Sequence, residues 1–195
     1  MKRIILNIGE YAVSKEPVAL ETILGSCVGI CLWDEQQRIG GLNHYLLPNE
    51  QLDTPRSSIY GGTSIDLLVK AMLEAGAVPG QLQAQIFGGN MMFNKLEDIL
   101  NIGMENIWLA RQKMDAYGIP VVSEHIRATH GIKGVFRTAS GEVTVTPLGQ
   151  KSEQIATSET TVARKLMQPC KTCILCGSCE ELLRRKRHTK AKKPV

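Results

Sequence analysis

Two neighbouring apolar stretches constrain the fold more than any other feature of this sequence. The run Val28-Gly29-Ile30-Cys31-Leu32-Trp33 predicts a buried strand, and residues 40–47 predict its antiparallel partner after a turn at residues 34–38. Further strands are predicted at residues 83–87, 121–126, 134–138 and 142–146. Ala139-Ser140-Gly141 makes the last two strands a hairpin.

Two amphipathic helices are predicted between these strands. Thr63 can cap the first helix, which has one apolar stripe and which Gly76 can end in a left-handed conformation. The stripe consists of Ile65, Leu68, Val69, Met72 and Leu73. The second helix carries Ile107, Ala110, Met114 and Tyr117, and it stops before Gly118 and Pro120. We therefore expect an α/β fold, more closely an α+β sandwich of mainly antiparallel sheets flanked by helices.

The 195 residues suit one globular domain with an appendage. Residues 150–161 are polar and Ser/Thr-rich, which predicts a domain at 1–150 and a linker with a flexible, Cys-rich and basic tail at 151–195. The net charge of +4 comes mainly from that tail, so a solvated tail is favoured over nucleic-acid binding. No stretch resembles a secretory signal or a membrane span, and we expect a cytoplasmic protein whose cysteines are free or bind metal.

Cys27 is the candidate nucleophile. It lies in Leu24-Gly25-Ser26-Cys27-Val28-Gly29, where small residues let the chain bend tightly as it enters a strand. Backbone N–H groups near such a turn can stabilise the oxyanion of acyl transfer. The alternative is that the thiol only packs in the core, which is the better explanation for Cys31.

His44 is the candidate general base. It lies near the end of the strand predicted to pair with the Cys27 strand, so a hairpin could bring the imidazole beside the thiol. A Cys–His pair of this kind lowers the thiol pKa and creates a thiolate. The alternative is a core histidine whose hydrogen bonds are satisfied.

Four short motifs occur along the first three quarters of the chain. They are Asn7-Ile8-Gly9-Glu10-Tyr11-Ala12-Val13, Leu24-Gly25-Ser26-Cys27-Val28-Gly29, Gly40-Gly41-Leu42-Asn43-His44-Tyr45-Leu46-Leu47-Pro48 and Ile86-Phe87-Gly88-Gly89-Asn90-Met91. Their order and spacing resemble those of the chemoreceptor glutamine deamidase family, CheD. Each motif alone is weak, but four in register are specific.

The resemblance implies a cysteine hydrolase that converts receptor glutamines to glutamates and releases ammonia. Cys27 would attack the side-chain carbonyl, and His44 would move the protons, without a cofactor. The family orients its histidine with a threonine, which matches Thr22 here, although some members place it where this chain has Glu21. The resemblance also implies that Phe87, Gly88 and Gly89 shape the substrate groove, although a plain turn after a strand is the alternative.

The resemblance further implies which partners the chain has. Receptor cytoplasmic domains are the expected substrates, and a CheC-type phosphatase is a second candidate partner. The chain departs from the family in residues 125–133, where Ile132 stands at the position of an expected arginine. This departure bears on partner recognition more than on the Cys–His chemistry.

The tail carries four cysteines with two residues between each neighbouring pair. They are Cys170, Cys173, Cys176 and Cys179. Two C-x-x-C units can converge on zinc or on an iron–sulfur cluster, and the sequence does not choose between them. Reversible disulfide chemistry and a cluster without function are the alternatives.

Three functions therefore compete. The first is a protein-glutamine deamidase, favoured because both catalytic residue types are present. The second is a binding module that docks receptors or a phosphatase without turnover, with a metal-sensing or redox-sensing tail. The third is a thiol protease or transamidase that uses the same pair of residues on another acyl group.

Overall fold

The computed structural model describes residues 1–49, 57–90, 97–149, 155, 158–159 and 161–162. These residues contain two β-sheets, two long α-helices and a short 3-10 helix at Pro79–Gln81. The strands are β1 (Lys2–Ile5), β2 (Tyr11–Ser14), β3 (Val18–Leu24), β4 (Val28–Asp34), β5 (Ile39–Asn43), β6 (Leu82–Gly88), β7 (Val121–Ile126), β8 (Ile132–Arg137) and β9 (Glu142–Pro147). The helices are α1 (Gly61–Glu74) and α2 (Glu97–Ala116).

The strands form one sheet in the order β1-β3-β8-β9 and another in the order β2-β5-β4-β6-β7. Only the β1–β3 and β6–β7 pairs of these sheets are parallel, and the remaining ladders are antiparallel. The predicted fold class, an α+β sandwich of mainly antiparallel sheets with flanking helices, is confirmed.

The two sheets pack face to face through aromatic rings that lie over glycines. A Cβ added to Gly134 of β8 would lie 2.1 Å from the ring of Phe87 in β6, and one added to Gly40 of β5 would lie 2.8 Å from the ring of Phe136. The opposite face of the second sheet packs on both helices. Ile30 of β4 belongs to a buried apolar cluster that includes residues of α1 and α2. Burial of this apolar surface is the main stabilising term of the fold.

The predicted strands β4 and β6 to β9 are confirmed with small shifts at their ends. β5 ends at Asn43, earlier than predicted, because the Asn43 side chain replaces the backbone as the acceptor for the Ile30 N–H, at 2.9 Å. Gly76 is left-handed as predicted, with φ +97°. The predicted Thr63 cap is wrong. Helix α1 begins at Gly61 with Tyr60 at the cap position, three residues before Thr63, and the N–H groups of Gly61 and Gly62 donate to the carbonyls of Leu47 and Pro48.

The chain divides into two units, Met1–Thr161 and Val162–Val195. Glu159 is buried within the first unit, beyond the domain boundary predicted near residue 150. That boundary stays a prediction, because residues 150–154 lie outside the described residues, as do all four tail cysteines and the basic run. Across the described ranges, no helix is both long enough and apolar enough to cross a membrane.

Candidate active site at Cys27

Cys27 lies in the loop between β3 and β4, and three contacts hold the carbonyl groups of that loop. The N–H of Gly89 donates to the Cys27 carbonyl at 2.7 Å, and the N–H of Asn90 donates to the Gly25 carbonyl at 2.8 Å. From α2, the Asn106 amide donates to the Ser26 carbonyl at 3.3 Å. With its carbonyls anchored in the interior, the loop holds the thiol in a defined position.

Phe87, Gly88 and Gly89 are buried and support this loop from behind. Gly88 has φ +105°, and a Cβ there would lie 2.3 Å from the Cys27 carbonyl oxygen, so only glycine fits. The ring of Phe87 packs against Gly29, where an added Cβ would lie 3.1 Å from the ring. The predicted contact of these three residues with substrate stays a prediction.

His44 directly follows β5 and lies beside the Cys27 loop. Tyr45 forms a bridge with Val28, and Cys31 pairs with Leu42, so the register sets His44 opposite Gly29. A residue opposite Gly29 is a diagonal neighbour of position 27, within reach of a long side chain. One imidazole nitrogen, the Cys27 Sγ and a carboxylate oxygen of Glu159 all lie within 4.8 Å of one another. The predicted hairpin thus brings Cys27 and His44 together.

Thr22 of β3 sets the tautomer of His44. Its Oγ1 lies 2.8 Å from His44 Nδ1 and donates its only proton to the Leu6 carbonyl, also at 2.8 Å. Oγ1 must therefore accept from Nδ1–H, which leaves Nε2 without a proton. Nε2 is buried and has no hydrogen-bond partner among the described atoms. It is therefore the nitrogen able to take the thiol proton.

Glu21, the alternative to Thr22, has a different environment. Its carboxylate pairs with Lys133 at 2.6 Å and with Arg3 at 3.3 Å. Both partners belong to the strands on either side of β3. The catalytic assignment of Thr22 stays a prediction, and its contact with His44 supports it.

The buried thiol and imidazole are both neutral in this form. Burial raises the pKa of Cys27 well above its ordinary value, and the charge of Glu159 and the hydrogen bond that the thiol donates to its carboxylate raise that pKa further. Burial lowers the pKa of His44 to about 4, against smaller opposing effects of the Leu6 carbonyl and Glu10. The Cys–His pairing predicted from the sequence favours a thiolate. Burial away from water and the nearby Glu159 carboxylate instead favour the neutral thiol and the neutral imidazole.

Glu159 is the site residue that sequence reasoning missed. Its side chain is 4% exposed. One oxygen accepts from the Gly25 N–H at 2.7 Å, and the other accepts from the Ser26 N–H at 2.6 Å and from the Ser26 hydroxyl at 2.8 Å. The polar stretch around it gives no periodic signal, so composition indicates only a linker.

The grouping of Cys27, His44 and Glu159 also has ligand atoms of the kinds that bind zinc. The carboxylate, however, already accepts three hydrogen bonds from Gly25 and Ser26. The arrangement is better suited to thiol chemistry than to a metal. Cys31, the second buried cysteine, packs in β4, in agreement with its predicted core role.

Comparison with known proteins gives a consistent match. The family model described as CheD chemotactic sensory transduction matches residues 46–147. A relative from Anaeromyxobacter dehalogenans, named probable chemoreceptor glutamine deamidase CheD 1, is 36% identical over 75% of this chain and 85% of its own length. One from Geobacter metallireducens, named probable chemoreceptor glutamine deamidase CheD 2, is 38% identical over 79% of this chain and 99% of its own.

Likeness to solved structures is much weaker. A crystal structure of a Neisseria meningitidis protein is 13% identical, covers 64% of this chain and 60% of its own, and has a TM-score of 0.39. A TM-score this low supports neither a shared fold nor a shared activity.

Proposed function

The chain belongs to the CheD family, and from that membership together with the geometry around Cys27 we propose that it is a protein-glutamine deamidase of chemotaxis receptors. Relatives that align with most of the chain are named chemoreceptor glutamine deamidases. The observation that carries the proposal is the buried Cys27–His44 pair, in which Nε2 is free to accept the thiol proton.

The first half of the reaction forms a thioester. The Cys27 sulfur attacks the carbonyl carbon of the glutamine side chain while His44 Nε2 takes the thiol proton. The carbonyl oxygen becomes an oxyanion that nearby N–H groups can stabilise. His44 then donates this proton to the amide nitrogen of the substrate glutamine. The C–N bond breaks, and ammonia leaves.

The second half releases glutamate. Water loses a proton to His44 Nε2 and attacks the thioester carbon, and the C–S bond breaks. The sulfur recovers the proton from His44, so one water is consumed and one ammonia is formed. Because the neutral pair is the starting state, the proton moves as the sulfur attacks.

Thr22 and the Gly88–Gly89 turn are proposed to position these groups. The Thr22 hydroxyl keeps the Nδ1–H tautomer of His44 through its 2.8 Å contact. The turn holds the Cys27 carbonyl and thereby the thiol. Misplacement by about 1 Å can cost about a hundredfold in rate, so both contacts matter to catalysis.

The proposed partners follow from the substrate. We propose receptor cytoplasmic domains as the substrates and therefore a cytoplasmic location, and a CheC-type phosphatase is a further proposed partner. For the tail, we propose that Cys170, Cys173, Cys176 and Cys179 bind zinc or an iron–sulfur cluster, on their spacing alone.

The direct test is deamidation of receptor fragments. The full chain is incubated with receptor cytoplasmic domains, and mass spectrometry follows the conversion of individual glutamines to glutamates. The Cys27→Ala variant should show none, whereas Cys31→Ala, the matched control, should remain active. Receptor binding without conversion by the parent chain would instead indicate a non-catalytic binding module, and cleavage of the receptor backbone would indicate a thiol protease.

A further inference from the structure

Glu159 lies where the reacting side chain of a substrate must lie. Its carboxylate is within 4.8 Å of the Cys27 sulfur and of an imidazole nitrogen. A substrate glutamine has to bring its carboxamide to the same two groups, since the sulfur must reach the carbonyl carbon. The side chain of Glu159 is also identical to the glutamate that deamidation produces.

The loop at Gly25 and Ser26 complements the Glu159 carboxylate in shape and in hydrogen-bond donors. A Cβ on Gly25 would lie 2.7 Å from Oε2 and 3.1 Å from Cδ of Glu159, so the carboxylate fills the space that this glycine leaves. The groups that bind it are two backbone N–H groups and one hydroxyl, all of them donors toward it. We call the N–H groups of Gly25 and Ser26 and the Ser26 hydroxyl the donor cradle.

The donor cradle distinguishes product from substrate. A carboxylate accepts at both oxygens, whereas a carboxamide accepts at one atom and donates from the other. A glutamine in the same pose would turn its NH₂ group toward at least one N–H, leaving that donor unsatisfied. Unmade hydrogen bonds of buried groups are costly, so the cradle prefers carboxylate.

We propose that Glu159 is an internal product analogue that occupies the donor cradle and closes the active site until a receptor side chain displaces it. This inference rests on the proposed deamidase function, because only that reaction makes a glutamate side chain the product. It also assigns the donor cradle as the site that receives the oxygen of the substrate carboxamide. Ser26 thereby becomes a substrate-binding residue.

Closure by Glu159 accounts for the state of the catalytic pair. Cys27 is 0% exposed and His44 is 3% exposed, so no substrate reaches them while this form persists. The charge of Glu159 and its hydrogen bond also raise the pKa of Cys27. Departure of Glu159 removes both influences and opens the site at once.

The Glu159→Gln variant provides a chemical test, because it turns the internal product into an internal substrate. Attack by Cys27 and hydrolysis of the thioester should release ammonia and restore glutamate at position 159. Peptide mass spectrometry of the purified full chain should therefore find glutamate there. Adding Cys27→Ala should preserve the glutamine, and the exposed control Glu105→Gln should keep its glutamine in either background.

The Glu159→Ala variant tests closure without requiring turnover. Alkylation of Cys27 by iodoacetamide at neutral pH, measured on the Cys27 peptide, should speed up by about tenfold or more, equivalent to ~1.4 kcal/mol in favour of the closed form. The matched control Glu105→Ala should alkylate at the parental rate. An unchanged rate in Glu159→Ala would overturn the closure.

The two experiments separate failure of this inference from failure of the proposed function. Receptor deamidation by the parent chain, with glutamine retained at position 159 of the Glu159→Gln variant, would overturn the product analogue and leave the deamidase function intact. Absence of receptor deamidation by the parent chain and by every variant, together with faster alkylation of Glu159→Ala, would overturn the deamidase function. Glu159 would then only shield Cys27 from solvent.

Discussion

The buried His44 should make the protein lose stability in weak acid. Burial lowers its pKa from 6.5 to about 4, whereas the unfolded chain titrates near the ordinary value of 6.5. Between these values the unfolded state binds a proton that the folded state does not. The free energy of unfolding is therefore highest above pH 6.5 and falls as the pH approaches 4.

The size of this effect follows from the gap between the two pKa values. At 1.36 kcal/mol per pH unit, the whole gap corresponds to about 3 kcal/mol, of which about 2 kcal/mol is lost between about pH 7 and about pH 5. Most carboxylates titrate below this range, so the imidazole dominates the loss.

Urea unfolding of the full chain and of His44→Asn at the two pH values measures the effect. Asparagine does not titrate, so the variant should lose about 2 kcal/mol less than the parent between about pH 7 and about pH 5, whatever its stability at neutral pH. His125→Asn, at an exposed position of β7, is the matched control and should keep the parental pH dependence. A parental pH dependence in His44→Asn would refute the reasoning, because some other group would then carry the proton uptake.

Three further predictions concern the thiol, its support and the tail. Cys27→Ala should abolish ammonia release from receptor fragments and leave the circular dichroism spectrum unchanged, while Cys31→Ala should keep most activity. Thr22→Val should lower kcat by about tenfold to a hundredfold with little change in KM, and Thr22→Ser should recover most of it, since the hydroxyl acts through its contacts with His44 and the Leu6 carbonyl. Elemental analysis of anaerobically purified protein should find zinc or iron in fixed stoichiometry, and absence of both would refute the metal site. Replacing any one tail cysteine should weaken that binding sharply, the four being Cys170, Cys173, Cys176 and Cys179.

The pairing of Cys27 with His44 could be predicted from sequence because a hairpin is a local structure. The apolar run of β4 and the short turn after it determine the register, and the register determines which side chains share a face. The tautomer of His44 could not be predicted in the same way. It depends on the Leu6 carbonyl, which accepts the hydrogen bond of the Thr22 hydroxyl and lies 16 residues before Thr22 in the sequence.

Strand β3, which the sequence pattern missed, has polar residues whose partners are distant in the sequence. In β3 the sequence Val-Ala-Leu-Glu-Thr-Ile-Leu carries Glu21 and Thr22 in its middle, and both are buried. Lys133 and Arg3 neutralise the glutamate from neighbouring strands. The wrong Thr63 cap has the same origin, because the carbonyls that bind the start of α1 come from Leu47 and Pro48.

Glu159 shows why composition does not predict every residue of the candidate site. Polar, Ser/Thr-rich sequence has the same composition whether it is solvated or supplies one carboxylate to a buried site. The N–H group of Gly25, which binds the Glu159 carboxylate and fixes its position, lies 134 residues before Glu159 in the sequence. The carbonyls of this loop accept from residues 89, 90 and 106, and the N–H groups of Gly25 and Ser26 donate to the Glu159 carboxylate. Buried donors need an acceptor. N–H groups of the kind that would stabilise a developing oxyanion therefore bind an anion in this structure, and Glu159 supplies it.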